Sequence, residues 1–371
     1  MPKSRLGFGL LHMPKPIGCT LAFLTLAILS KGISQERIWT STEGQRIQAE
    51  LVDTMGSEVM IRRKDGNSFR LPLARLSQTD RRYVSKMLEP SLPKLSPLNA
   101  VVLINGEDGG KGTGFLLQHL GRAYLVTNAH VVRGSARIGV VGVDGRSIAV
   151  GDRMEMALDG RDLVRFHLPP TMGGLARSQK LLIGQPCFAL GNSGGLNVLT
   201  PLPGRMVGAG PKEIEVTCPF IPGNSGGPIL NPSGQVLGVA TYVARSEGAW
   251  WAKGTRFANV RRVAVRLDGV EWRAFSLNYF KKAHEILEKV KKDITGIEQW
   301  KNIVRSNPRH PEAKNAATKL IRIAAGLNSG VNGISAVSRI PFLREDATEA
   351  SKYNKKLQEE LRELLRLVRL K

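Results

Sequence analysis

Across residues 37–88 apolar and polar positions alternate with a period of two in four short runs, RIWTS, IQAELVDTM, EVMIRRK and SFRLPL. EG, GS and DGN fill the breaks between them. Alternation punctuated by turn formers predicts short strands in hairpins. The block closes on LSQTDRRYVSKML, a capped helical turn, so residues 35–88 are expected to form a small β-barrel. Residues 89–99, EPSLPKLSPLN, carry Pro90, Pro93 and Pro97, a density that favours a semi-rigid extended linker. From 100 to 268 short apolar runs recur between glycines and prolines, the pattern of a second, larger β region. Beyond Arg273 the period becomes helical. YFKKAHEILEKVKK, IEQWKNIV, PEAKNAATKLIRIA and SKYNKKLQEELRELLRLVRLK all read as helices, which makes 269–371 a helical region. In the last, Tyr353, Leu357, Leu361, Leu364, Leu365 and Val368 share one face opposite the charges. That face suits packing on the body or a partner, and a basic amphipathic helix also suits an anionic membrane.

The first residues change the picture of where the chain works. Lys3, Arg5 and Lys15 precede the apolar run IGCTLAFLTLAIL (17–29), and Gly32 and Ser34 follow it. A basic region, a short apolar stretch and a small-x-small site make residues 1–34 a signal peptide, with cleavage before Gln35; an uncleaved anchor is the alternative. An exported protein is expected, periplasmic or secreted. Lys and Arg number 54 against 31 Asp and Glu, a net charge of +23. With an export signal, that charge points to an anionic envelope surface rather than to nucleic acid. After cleavage only Cys187 and Cys218 remain, enough for one disulfide or for two buried thiols. No Cys/His spacing suggests zinc and no carboxylate arrangement suggests calcium, so neither metal nor cofactor is expected.

The candidate chemistry lies in a repeated pentapeptide. GNSGG occurs at 191–195 and again at 223–227. A serine between glycines can be an exposed nucleophile or part of a tight turn. A strand-to-helix elbow is excluded for both copies: GGPILNPSGQVLGVATYV after Ser225 and GLNVLTPLPG after Ser193 read as turns and strands. Upstream, YLVTNAHVVRG brings His130 to a turn at the end of a β-branched strand, a suitable place for a general base. In DLVRFHL, Asp162 precedes an apolar strand and can be held half-buried to fix the imidazole tautomer. Asp144, Asp152 and Asp159 compete, but each lies in a Gly-containing turn where solvation suffices, so Asp162 is preferred over Asp159.

The order His130, Asp162, Ser225 is that of chymotrypsin-type serine proteases. GTGFLL (112–117), TNAHVV (127–132), DLVRF (162–166), FALGNSGG (188–195), GNSGGPIL (223–230) and GQVLGVAT (234–241) resemble, in sequence and order, the trypsin-like domain of bacterial HtrA/Deg-type proteases. The resemblance covers 100–262, where RFANV (256–260) looks like the closing strand. It implies a mainly β fold with a chymotrypsin-like double β-barrel, and a serine endopeptidase acting on protein or peptide substrates. It implies Ser225 as nucleophile, the Gly223 and Ser225 amides as oxyanion hole, and Ser193 in a glycine-rich loop beside the cleft. In such a fold Pro219, six residues before the nucleophile, would sit at the pocket base. Thr241, Tyr242 and Val243 would line its wall, which favours small or medium apolar residues before the cleaved bond. Residues 35–88 likewise resemble the Sla-type homology domain, an SH3-like barrel, through W-T, K-D-G, L-P-L and L-S-x-x-D elements. That module implies a peptide adaptor or a purely structural barrel. The sequence departs from the HtrA pattern after 268, where a helical tail replaces the usual PDZ domains. A catalytically silent protease-fold adaptor of the envelope is the alternative function.

Overall fold

The computed structural model describes residues 36–55, 57–88, 96–245 and 260–369. The signal-peptide expectation for 1–34, most of the linker and the first residues of RFANV lie outside them. The described residues form one compact unit.

The alternating runs of 37–88 become an antiparallel meander of β1 (Arg37–Thr40), β2 (Arg46–Met55), β3 (Glu58–Arg62) and β4 (Ser68–Pro72), followed by helix α1 (Gln78–Leu88). Strand pairing stays open at its ends, and a single bridge between Ser41 and Leu76 joins them. Trp39, Ala49, Val59, Ile61, Leu76 and Val84 form its own small core, and the Trp39 indole N–H donates to the Ala49 carbonyl at 3.0 Å. Asp80 at the start of α1 accepts from Ser77 Oγ at 2.8 Å, from the Thr40 amide at 2.8 Å and from Arg37.

After a short helix α2 (Pro97–Ala100), the chain builds β5 (Val101–Gly106), β6 (Lys111–His119) and β7 (Arg122–Thr127), then a single helical turn α3 (Ala129–Val132). Next come β8 (Ile138–Gly142), β9 (Arg153–Ala157), β10 (Val164–Leu168) and β11 (Leu175–Ala176). A second group, β12 (Pro186–Asn192), β13 (Leu199–Ala209), β14 (Glu213–Val216), β15 (Pro228–Leu230), β16 (Val236–Arg245) and β17 (Val260–Val265), closes into a six-stranded barrel. Cys187, Met206, Ile214, Cys218, Phe220 and Ile229 are among the side chains that fill this barrel.

Among the described residues only this barrel closes through strand pairing. The first group is an eight-stranded sheet ordered β18-β9-β10-β7-β6-β5-β8, with β11 on β6. Its edge strand β18 (Trp272–Ser276) lies past the boundary expected at 268 and pairs with β9 through all five residues. Five residues with two aromatics carry too little period to be told from a helix start, which is why sequence alone missed β18.

From β18 the chain runs directly into α4 (Leu277–Ser306), then α5 (Pro311–Val337) and α6 (Arg344–Arg369). The two helical runs expected at 279–292 and 297–304 are one helix that passes through Gly296. Ser276 caps it by accepting from the Tyr279 amide at 3.2 Å. Leu357 and Leu364 of α6 are buried in a core shared with α4, α5 and the eight-stranded sheet. The apolar face of α6 is therefore packed on the body rather than presented to a membrane. That holds for Tyr353, Leu357, Leu361 and Leu364; Leu365 and Val368 lie outside the described side chains.

A buried ionic cluster ties the N-terminal meander to the rest. Asp53 sits where a register shift interrupts β2 against β3. It meets Arg177 at 2.9 Å, His119 Nε2 at 3.3 Å and the Gly269 amide at 2.6 Å. Burial alone would raise the Asp53 carboxyl, but Arg177 and His119 outweigh it and hold it well below the usual carboxylate range. Burial pushes His119 down in spite of Asp53, so it is neutral at pH 7.

Candidate active site

β7 delivers Thr127 and Asn128 to the single turn α3, and His130 is the second residue of that turn. Its ring Nδ1 lies 2.5 Å from Asp162 Oδ2, and its backbone N–H donates to Asp162 Oδ1 at 3.0 Å. Both carboxylate oxygens are thus engaged by one residue, which fixes ring and carboxylate together. Asp162 is half-buried, its side chain 16% exposed, just ahead of β10. Asn128 holds the backbone behind it, donating to the Asp162 carbonyl at 2.6 Å and to Thr241 Oγ1 at 3.2 Å. Asp159 is engaged elsewhere, with Arg161 at 2.8 Å and Lys212 at 3.4 Å.

Ser225 sits in the loop between Phe220 and β15. Gly223 has φ +94 and Gly226 φ +86, backbone that a side chain strains. A Cβ at Gly223 would meet the Asn192 carbonyl at 2.1 Å, and one at Gly226 the Thr113 carbonyl at 2.1 Å. Among the described residues neither the Gly223 nor the Ser225 amide donates a hydrogen bond, so both remain free for an incoming acceptor. The Ser225 hydroxyl has one hydrogen bond there, a long one of 3.5 Å to the Thr241 carbonyl.

The first pentapeptide is the mould for the second. Asn192 and Gly194 press on the loop of Ser225: the Gly194 amide donates to the Pro222 carbonyl at 2.8 Å. Ser193 Oγ and the buried Asn224 amide exchange contacts at 3.1 and 3.2 Å. Asn224 Oδ1 also accepts from the Ile221 amide at 3.0 Å. Ser193 is thereby spent on shaping the other loop. Thr113 of β6 clamps both: its Oγ1 donates to the Gly223 carbonyl at 2.8 Å and accepts from the Asn192 amide at 2.9 Å. Its backbone N–H donates to the Ser225 carbonyl at 2.9 Å. The glycine-flanked Thr113 stands in GTGFLL, but no spacing rule reveals a clamp that spans 110 residues.

His130 and Ser225 line one cleft of about 740 Å³, which also takes in Gly223, Thr241, Tyr242 and Val243. A second cleft of about 710 Å³, beside Asp162, shares His130, Thr241 and Tyr242 with it. A groove thus passes on both sides of the imidazole. Pro219 does not line either cleft and is exposed. Cys218 and Phe220 on each side of it are buried, and the alternation of an extended chain turns Pro219 outward. Phe220 takes the cleft position expected of Pro219. His284 of α4 also lines this cleft, so the helical tail reaches the site, which no motif announces. Cys187 and Cys218 are free thiols in the barrel core, their sulfurs 3.6 Å apart. The contact with Cys218, and burial after it, push the Cys187 thiol up, which keeps it protonated.

Residues 112–239 match the family described as Trypsin-like peptidase domain. The chain is 31% identical over 156 residues to Protease Do-like 1, chloroplastic, of Arabidopsis thaliana, an alignment covering 38% of this chain and 35% of that one. It is 32% identical over 184 residues to "Probable periplasmic serine endoprotease DegP-like" of Chlamydia trachomatis, with 45% and 36% covered. It is 30% identical over 183 residues to Protease Do-like 5, chloroplastic, of Arabidopsis thaliana, with 42% and 54% covered. The chain spans about a third to a half of the length of these curated relatives.

Proposed function

We propose that this chain is a serine endopeptidase of the HtrA/Deg type, working on peptide bonds through His130, Asp162 and Ser225. The observation that carries the reading is the double engagement of Asp162 by His130 beside a serine loop with two uncommitted amides. Asp162 holds the proton on Nδ1, which leaves Nε2 as the basic nitrogen facing the cleft. Nε2 takes the Ser225 proton as Oγ bonds to the substrate carbonyl carbon. The carbonyl electron pair moves to oxygen, where the Gly223 and Ser225 amides receive it. Collapse breaks the C–N bond, His130 returns the proton to the leaving amine, and water releases the acyl group by the same route.

On this reading the eight-stranded sheet and the closed barrel are the two halves of a chymotrypsin-like fold. The sheet contributes His130 and Asp162, and the barrel contributes Ser225. The meander of 37–72 is an SH3-like accessory module, held on by the Asp53 cluster. Export to the cell envelope rests on the leader-like residues 1–34 and on a relative named as periplasmic. No described helix is long and apolar enough to cross a membrane. The test is hydrolysis of an unfolded protein substrate by the purified mature chain. Turnover that disappears in His130→Ala and in Ser225→Ala is expected. An inactive wild type, or turnover that survives Ser225→Ala, contradicts the assignment and favours a silent binding protein.

A further inference from the structure

Among the described residues, the serine cleft holds a cation that no carboxylate neutralises. Arg262 lies in the middle of β17, paired in register with Val243 on one side and Val216 on the other. Its Nε donates to the Phe220 carbonyl at 2.9 Å, and its side chain lines the cleft with Phe220, Val243 and Ser225. The arginines nearest in sequence are consumed within the fold: Arg261 is paired with Glu215, and Arg266 lies 2.7 Å from Asp268. Among the described residues Arg262 has no carboxylate within ion-pair distance. Lys111, Arg133 and Arg245 line the same cleft. Among the described residues its one carboxylate is Asp108, which is occupied by Ser135 Oγ at 2.8 Å and the Gly110 amide at 3.1 Å.

The position of Arg262 relative to the nucleophile decides which substrate residue it meets. Thr241 carries the carbonyl nearest the Ser225 hydroxyl, and Val243, the cross-strand partner of Arg262, follows two residues later. Phe220 precedes the nucleophile by five residues, on the other wall. A carbonyl attacked by Ser225 with its oxygen on the Gly223 amide sends the side chain of its own residue between these two walls. The guanidinium lines the cleft there, its Nε committed to the Phe220 carbonyl and its terminal nitrogens without a carboxylate partner among the described residues. A planar fork held by one backbone contact is suited to a carboxylate, and a half-desolvated unpaired arginine gains more from one than an exposed arginine does. An apolar side chain in the same space would leave that cation without a partner.

We propose that Arg262 sets primary specificity, and that the cleft selects substrates with aspartate or glutamate immediately before the cleaved bond. This rests on the serine-endopeptidase reading and replaces the expectation of small apolar residues, which placed Pro219 at the pocket base. Lys111, Arg133 and Arg245 extend the same preference along the groove by their field.

The test uses the mature chain and a series of fluorogenic peptides that differ only before the cleaved bond: Asp, Glu, Ala, Leu or Lys. Labelling by a fluorophosphonate probe serves as an independent check of the nucleophile. Expected for wild type is kcat/KM for Asp or Glu at least ~10²-fold above Leu, below the ~10⁴–10⁵ by which a site rejects a side chain that leaves its buried polar groups unpaired. Arg262→Met should collapse that ratio, and Arg262→Glu should turn the preference toward Lys. A labelled wild type that cleaves Ala or Leu peptides as well as acidic ones overturns the inference and leaves the protease reading standing. Acidic preference that survives in a folded Arg262→Met also overturns it. Neither labelling nor cleavage overturns the protease reading and the specificity together.

Discussion

Residues 191–195 and 223–227 have one sequence and two backbones. In the first copy Gly191 lies inside β12, paired with Thr200, and the left-handed residues are Gly194 and Gly195 after the serine. In the second copy the left-handed residues are Gly223 and Gly226, on either side of Asn224 and Ser225. The first copy enters from a paired strand, so its leading glycine has no freedom left to turn an amide outward. The second follows Ile221 and Pro222 in a loop, and its leading glycine flips. One copy spends its serine on Asn224, and the other leaves two amides and a hydroxyl facing a cleft. A local motif therefore acquires its chemistry from what precedes it and from what it packs against.

The largest expected effect separates the serines directly. Ser225→Ala should cost ~10⁴-fold or more in turnover of a peptide substrate. Ser193→Ala, which removes a prop of Asn224, should cost only a few-fold. Comparable losses in both would dissolve the distinction between the loops. Next come the glycines. Gly223→Ala places a methyl against the Asn192 carbonyl at 2.1 Å with φ at +94, and loss of the aligned amide should cost ~10²-fold or more in kcat. Gly194→Ala meets only Leu196, at 3.8 Å. It should keep most activity and lose ~1 kcal/mol of stability to its left-handed backbone.

Thr113→Val sharpens the comparison from the side both loops share. It removes the hydroxyl that joins the Gly223 carbonyl to the Asn192 amide, and denaturant unfolding should show a loss of ~1–3 kcal/mol. The smallest effect lies at the far end of the same strand. A neutral His119 whose folded pKa is depressed costs stability once the pH drops below the unfolded value near ~6.5. Asp53, held low by Arg177 and His119, adds its own loss in stronger acid, below the unfolded carboxylate value. Wild type should therefore lose stability as the pH falls through ~6.5, and His119→Asn should flatten that slope.

The motif order His130, Asp162, Ser225 was legible because each stands in a run whose local pattern suggests a strand end or a turn. The paired strands of the meander were equally legible, since alternation and turn formers are short-range signals. What stayed hidden depends on contacts between distant segments. Pro219 was placed by counting from Ser225, and a count does not say which way an extended residue points. Arg262 and His284 reach the cleft from β17 and α4, Thr113 of β6 clamps the loops beside it, and nothing near them in sequence marks those approaches. β18 falls inside the region 269–371 expected to be helical because five residues give no period. The closed barrel and the open eight-stranded sheet differ in long-range pairing, which composition does not encode.

The account turns on Ser225 alone being an activated nucleophile, and identifying the modified residue tests that most directly. The mature chain would be treated with a fluorophosphonate and digested, and the phosphonylated peptide sequenced by mass spectrometry, with His130→Ala alongside. The account predicts the adduct on Ser225, none on Ser193, and its disappearance in His130→Ala. An adduct on Ser193, or equal labelling of Ser225 without His130, would contradict it.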